Sequence, residues 1–193
     1  MPNRCQAILV ALAGATCSGK TSVCQHLLQH SKRRSLEITV VCMDDYFLPN
    51  DYEKLVRDPA TGLLNYDQKS SVDWSRLLHD VHSHLHQQRN REGDEEGVQH
   101  VVLVEGILVI SNSSLYHLAD LRFFLTLDRQ VARERRSNRN ADILDSQNYF
   151  DDVVWPSHLD ELNFAEKNRQ KIYILDVTKM NIDAVVDFIL KRL

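Results

Sequence analysis

The chain has 193 residues, 43% of them apolar and 26% charged, with a formal net charge of -4. Those values describe one ordinary globular domain with room for an inserted flap, and they exclude a disordered or collagen-like chain. Mild net acidity gives no whole-chain reason to expect nucleic acid as a partner, and no stretch approaches the ~20 apolar residues needed to cross a membrane.

The cysteines, Cys5, Cys17, Cys24 and Cys42, all fall in the first quarter of the chain and form no CxxC pair. A disulfide framework or structural zinc site is therefore not expected, and a reducing compartment, the cytoplasm, is. Arg4 before the apolar run Ala7–Ala13 has the look of a short secretory signal. Cleavage after that run would destroy the motif that follows, so the run is read as a strand instead.

In chain order, Ala7–Ala13 reads as a buried strand, followed by a helix over Lys20–His30 and a second strand over Glu37–Met43. Residues 46–68, rich in Pro, Asp, Tyr and Asn, read as a long irregular segment of the kind that usually carries function. Asp73 is placed to cap a helix through Trp74, Leu77, Leu78, Val81 and Leu85. Residues 89–99 form a charged surface loop, Val101–Val104 a third strand and Leu121–Leu127 a fourth. A helix over 128–139, a loop over 140–155, a helix from Pro156 to about Gln170, a strand over Ile172–Val177 and a closing helix over Ile182–Leu193 complete the pattern. Apolar strands alternating with helices predict an α/β fold: a five-stranded, mostly parallel sheet covered on both faces, with ligands at the carboxyl ends of its strands.

Gly14-Ala15-Thr16-Cys17-Ser18-Gly19-Lys20-Thr21 fits G-x-x-x-x-G-K-[ST] between a strand and a helix. In that context the backbone N–H groups and the helix N-terminus face phosphate charge, Lys20 reaches the β- and γ-phosphates, and the Thr21 hydroxyl serves Mg²⁺. Cys17, inside this loop, is read as a passive small side chain rather than a reactive thiol.

Asp44 and Asp45 close the second strand and Glu105 the third. In a parallel sheet these ends share the rim of the phosphate loop, where one carboxylate can take a proton from an attacking hydroxyl and another can hold Mg²⁺. Alternation along an extended segment turns one aspartate inward and one away, without saying which.

Residues 128–139 (DRQVARERRSNR) place Arg129, Arg133 and Arg136 at i, i+4, i+7, with Arg135 and Arg139 as a second pair. Their mutual repulsion can be offset by an anionic ligand that matches the guanidinium fork, or the helix can be a solvated face with Asp128 and Glu134 as partners. This is the one local basic patch, but no aromatic residue interleaves it, so no nucleic-acid partner is expected. His79, His82, His84 and His86 read as a polar helix face rather than a metal site, and Trp74 and Trp155 as core anchors. Tyr46, Tyr52 and Tyr66, in the polar segment, can stack on a base-like ring.

Over nearly its whole length the chain resembles nicotinamide riboside kinases, within the uridine kinase-like group of P-loop kinases. The resemblance rests on GATCSGKT at 14–21, DDYFLP at 44–49, Asn65-Tyr66-Asp67, Glu105-Gly106, RRSNR at 135–139, YFDDVVWP at 149–156, and Ile174-Leu175-Asp176 with Thr178-Lys179. It implies the three-layer P-loop NTPase fold with a lid: one domain over 1–193, with a nucleoside-binding loop at 46–68 and an arginine-rich lid region at 128–155.

By position, the resemblance implies Asp44 as catalytic base on the ribose 5′-hydroxyl, with Lys20 as its catalytic partner at the phosphates. Thr21, Asp44 and Glu105 are implied at Mg²⁺. Gly14 to Ser22 (Gly14, Ala15, Thr16, Cys17, Ser18, Gly19, Lys20, Thr21, Ser22), Arg135, Arg139, Lys179, Met180 and Asn181 are implied on ATP. Asp44, Asp45, Tyr46, Phe47, Tyr66, Asp67, Glu105 and Arg136 are implied on the nucleoside, with Tyr66 beside the pyridine ring. Ala141 and Asp142 depart from the family's pattern, which often has a Tyr-Gln or similar pair there.

The expected activity is ATP- and Mg²⁺-dependent phosphorylation of nicotinamide riboside, and also nicotinic acid riboside, in NAD biosynthesis. A uridine or cytidine kinase is the alternative, and a nucleotide-dependent switch or binding module a more remote one. The expected assembly is a monomer or weak homodimer.

Overall fold

A computed structural model describes residues 7–31, 35–49, 53, 55–57, 59, 62, 64–89, 98–139 and 149–193. Arg4, Cys5, Tyr52, most of the 89–99 loop, Ala141 and Asp142 lie outside them. The strands are β1 (Ile8–Gly14), β2 (Leu36–Cys42), β3 (Gln99–Gly106), β4 (Leu121–Thr126) and β5 (Tyr173–Asp176). The helices are α1 (Lys20–Ser31), α2 (Trp74–Arg89), α3 (Ser113–Leu118), α4 (Arg129–Arg139), α5 (Trp155–Lys167) and α6 (Ile182–Leu190). The sheet order is β2-β3-β1-β4-β5, and every paired strand is parallel.

Strand β1 lies at the centre and feeds both hydrophobic layers. Val10 and Leu12 pack with Val23, Leu27, Val186 and Ile189 on the face covered by α1 and α6. Leu9, Ala11 and Ala13 pack with Leu77, Val81, Leu115 and Ala165 on the face covered by α2, α3 and α5. This is the period-2 alternation of a strand buried on both sides. Phe123 and Phe124 repeat it on β4: both are fully buried, one in each layer. Burying either ring contributes about 1.5–3 kcal/mol.

Beyond shifts of a few residues at strand and helix ends, three differences from the sequence reading stand out. Residues 113–118 form α3, a helix too short to show periodicity; the Asn112 side chain caps it by accepting from the Leu115 N–H at 3.1 Å. The segment expected as loop to residue 155 is already helical from Phe150, where a π-helical turn over Phe150–Val154 runs into α5. Strand β5 begins at Tyr173 because the Ile172 N–H is still bonded to the Asn168 carbonyl in the preceding turn. Asp73 caps α2 as expected, its carboxylate accepting from the Arg76 N–H at 3.1 Å.

The register brings the chemistry to one rim. Glu105 pairs with Leu12 on one side and Cys42 on the other, so the β3 carboxylate stands between the phosphate loop and the turn after β2. Among the described residues no helix is long and apolar enough to cross a membrane.

Candidate functional site

The loop between β1 and α1 curls back on itself. Cys17 takes the left-handed conformation at φ 58° and Gly19 stands at φ 89°, a backbone state that costs glycine little. Lys20 folds over the loop: its Nζ donates to the Gly14 carbonyl at 3.1 Å and the Ala15 carbonyl at 3.0 Å, and the residue is 9% exposed. Burial pushes its ammonium below the ordinary lysine value, against the pull of Glu105 and Asp44, whose negative charges favour the cation.

Glu105 is buried and works as an acceptor. The Thr21 hydroxyl donates to its Oε1 at 2.8 Å and the Cys42 thiol to the same atom at 3.5 Å. Desolvation, then the nearby Glu105 charge, pushes the Cys42 thiol up to about 12, so it stays protonated. Thr21, Glu105 and Asp44 make an all-oxygen donor set, which suits a hard ion such as Mg²⁺. Among the described residues no three His, Cys, Asp or Glu side chains gather into a group that could hold a metal ion by themselves. An ion held by one or two carboxylates, with phosphate and water completing its shell, fits that arrangement.

Asp44 and Asp45 lie in a 3₁₀ turn over Met43–Tyr46. The protein around the Asp44 carboxyl raises it above the ordinary aspartate value; Glu105 and Asp45 add to the rise, while Lys20 and Arg139 oppose it. Asp44 therefore stands within the electrostatic reach of the phosphate-loop lysine, the buried glutamate and the arginine helix together. Asp45 turns its backbone to α2, its carbonyl accepting from the Arg76 guanidinium. Tyr46 is buried against the same helix. Its hydroxyl donates to Asp80 at 2.8 Å and Arg76 lies 4.6 Å over its ring, so both its polar atom and its ring are engaged by α2.

Phe47 meets Tyr66 edge to face, with centroids 5.2 Å apart. Asp67 lies in a small pocket with Gly14, Ala15 and Thr16, and its carbonyl accepts from the Ser157 hydroxyl at 2.7 Å. The Tyr149 hydroxyl donates to the Leu64 carbonyl at 3.0 Å and ties the start of the π-helical turn to the 46–68 segment.

The arginine helix divides its work. Arg135 donates to the Cys17 carbonyl at 3.3 Å and Arg136 to the Thr16 hydroxyl at 3.1 Å, so both reach the phosphate loop. Arg129 and Arg133 instead share Asp151, at 2.9 and 3.0 Å. The partners expected from sequence are otherwise occupied: Asp128 accepts from the Gln130 N–H and Glu134 from the Gln130 side chain. After β5, Lys179 pairs with Asp176 at 2.7 Å, Met180 packs on the core, and the Asn181 side chain caps α6.

Sequence reasoning missed His158 and Glu161. They occupy inward positions of α5, in line with Val154 and Ala165, yet both are polar and buried. The signal was present as two polar residues at core spacing, three apart, on a helix whose inner face is otherwise apolar.

A phosphate loop, a strand-end carboxylate pair and an arginine helix on one parallel sheet define a P-loop kinase. The fold comparison agrees. The chain superposes on a gluconokinase from Sinorhizobium meliloti with TM-score 0.53 and 18% identity, covering 96% of this chain and 90% of that one. On a possible uridine kinase from Bacillus stearothermophilus the TM-score is 0.51 at 18% identity, covering 88% and 89%. No family model matches the chain. Curated sequences do. Human nicotinamide riboside kinase 2 is 30% identical over 179 residues, 89% of this chain and 75% of that protein. Human nicotinamide riboside kinase 1 is 26% identical over 91% and 86%, and the uridine kinase of Mycoplasma genitalium 24% identical over 78% and 77%. The chain belongs to the nicotinamide riboside kinase family, within the uridine kinase-like P-loop kinases.

Proposed function

We propose that this protein transfers the γ-phosphoryl group of ATP to the 5′-hydroxyl of nicotinamide riboside, and of nicotinic acid riboside, yielding the mononucleotide used to make NAD. The observation that carries the reading is the meeting of Asp44, Lys20 and the Thr21–Glu105 pair on one rim, with Arg135 and Arg136 bonded to the facing loop. Family membership supports the choice of acceptor.

In this reading Asp44 accepts the proton of the 5′-hydroxyl as its oxygen attacks the γ-phosphorus and ADP leaves. Burial holds the Asp44 carboxyl above the ordinary aspartate value, which makes it a stronger proton acceptor. Lys20 exchanges its carbonyl partners for phosphate oxygens, and Arg135 and Arg139 supply positive charge to the transferred group. Thr21, Glu105 and Asp44 would hold Mg²⁺, which when bound neutralises charge on the phosphates. Phe47 and Tyr66 would form the wall against which the pyridine ring rests, and Asp67 and Arg136 would meet the ribose side. Closure of α4 over the loop keeps water, the competing acceptor, out.

The rival is a uridine or cytidine kinase, because uridine kinases also match over most of the chain. A coupled ADP-release assay decides. Nicotinamide riboside, nicotinic acid riboside, uridine and cytidine are each offered with ATP or GTP. The expected result is the highest kcat/KM with nicotinamide riboside and ATP. Turnover of uridine with none of either pyridine riboside would overturn the proposal, and slow ATP hydrolysis without any acceptor would favour a nucleotide switch.

A further inference from the structure

Beside the first half of the phosphate loop lies a pocket with room for one water-sized group, lined by Gly14, Thr16, Asp67, Ser157, His158 and Glu161 among others. Two of these residues are built as though for a ligand. His158 and Glu161 are each 7% exposed. Among the described residues, both ring nitrogens of His158 and the Oε2 of Glu161 are buried without a hydrogen-bond partner. Buried polar atoms are nearly always paired, so three at one small cavity mark a place where something outside the chain completes them.

The chemistry of the cavity restricts what fits. The His158 ring lies parallel to Phe124, 6° from coplanar at 5.7 Å, and tilts against Trp155 at 4.9 Å, so it is clamped in place. Burial, reinforced by the Lys20 charge, lowers its pKa to about 4, and the imidazole is neutral at neutral pH, with one donor and one acceptor. Burial raises the Glu161 carboxyl above its ordinary value, with Ser111 and Lys69 opposing. A cation there meets a neutral ring within the field of Lys20, and a phosphate-sized anion exceeds a space for one water-sized group. A neutral group that both gives and takes a hydrogen bond, and is no larger than a water, satisfies the site: a hydroxyl.

We propose that His158 and Glu161 form a subsite of the acceptor cleft that binds one hydroxyl group of the phosphoryl acceptor and so selects acceptors carrying it. The subsite rests on the functional reading above only in that the acceptor is rich in hydroxyls. It adds a selectivity element on α5 to the residues assigned from the motifs.

The test is calorimetric binding to the full chain, free and with a non-hydrolysable ATP analogue. The panel is nicotinamide riboside, uridine and cytidine, the 2′-deoxy and 3′-deoxy form of each, ribose and gluconate. The proteins are wild type, His158→Phe, His158→Gln, Glu161→Leu and Glu161→Gln. Wild type should bind one deoxy form about tenfold or more weaker than its parent, because the missing hydroxyl leaves buried groups unpaired. His158→Phe and Glu161→Leu should lose about as much on the parent and nothing further on that deoxy form. The Gln variants should stay within about threefold of wild type, and the affinity for the ATP analogue should hold in all.

Equal binding of parent and deoxy forms by wild type overturns the subsite, whether or not the variants fold. So does parent binding unchanged in folded His158→Phe and Glu161→Leu, which would leave the cavity as a structural water site, or failure of every hydroxyl-bearing compound to bind. If nicotinamide riboside is inert while another acceptor shows the full pattern, the functional reading falls and the subsite stands. If nicotinamide riboside is turned over without the pattern, the subsite falls alone.

Discussion

Asp44 stands where several charges overlap, and their balance fits the proton-accepting role proposed for it. The protein around it raises its carboxyl, Glu105 adds to the rise, and Lys20 and Arg139 temper it. Asp45 commits its backbone to α2 through Arg76. The sequence left the two equivalent because alternation assumes an extended chain, and here both lie in a 3₁₀ turn. Asp44→Ala is expected to lower kcat by about 10²–10⁴-fold, the usual weight of a general base. ATP affinity by equilibrium binding should stay close to wild type. Near-normal kcat in that variant would remove Asp44 from the role.

Among the elements, the turn after β2 depends on the end of β3. A Cβ placed on Gly106 would collide with the Cβ of Met43, the fully buried first residue of the Asp44 turn. Gly106→Ala therefore forces Met43, and Asp44 with it, away from Glu105. Overpacking of this kind costs about 1–3 kcal/mol, or roughly 2–4 °C in Tm per kcal/mol for a chain this long. Thermal melting should show the fall, and kcat should drop with little change in KM for ATP. A variant with wild-type Tm and kcat would show that the contact relaxes freely.

The elements also show what was legible. The phosphate loop could be read because its fixed positions and its flanking strand and helix are local in sequence. The division of labour on α4 could not, because Arg129 and Arg133 are claimed by Asp151, a residue on a different element. The spacing of His158 and Glu161 on α5 was readable, but their burial was not, because it comes from contacts with elements distant in sequence such as Phe124 on β4.

For the molecule as a whole, the buried imidazole makes stability depend on pH. His158 has a folded pKa of about 4 against a reference of 6.5, so the unfolded chain binds a proton between those values that the folded chain refuses. Its contribution is fully present above about pH 6.5 and is lost as pH falls towards 4, on the order of 3 kcal/mol across the window. Glu161, raised by burial, has the opposite sign: it favours the folded state at low pH and loses that contribution as pH rises. Comparing urea unfolding of wild type with His158→Phe isolates the histidine. The stability of wild type relative to the variant should decline from pH 6.5 to 4.5. A gap that is flat or widens on acidification would show that the ring is charged or solvated in the folded state.

Lys20 resting on the carbonyls of Gly14 and Ala15 gives its ammonium two partners within the loop itself. A ligand must therefore outbid two hydrogen bonds already in hand, a threshold rather than a simple attraction. A lone, weakly charged anion offers the ammonium little more than the carbonyls do. A polyphosphate offers several oxygens at once, and it engages the helix N-terminus and the arginines of α4 in the same event. Under the proposed kinase activity, the resting lysine is expected to act as a filter on charge density, favouring a nucleoside triphosphate over dilute simple anions.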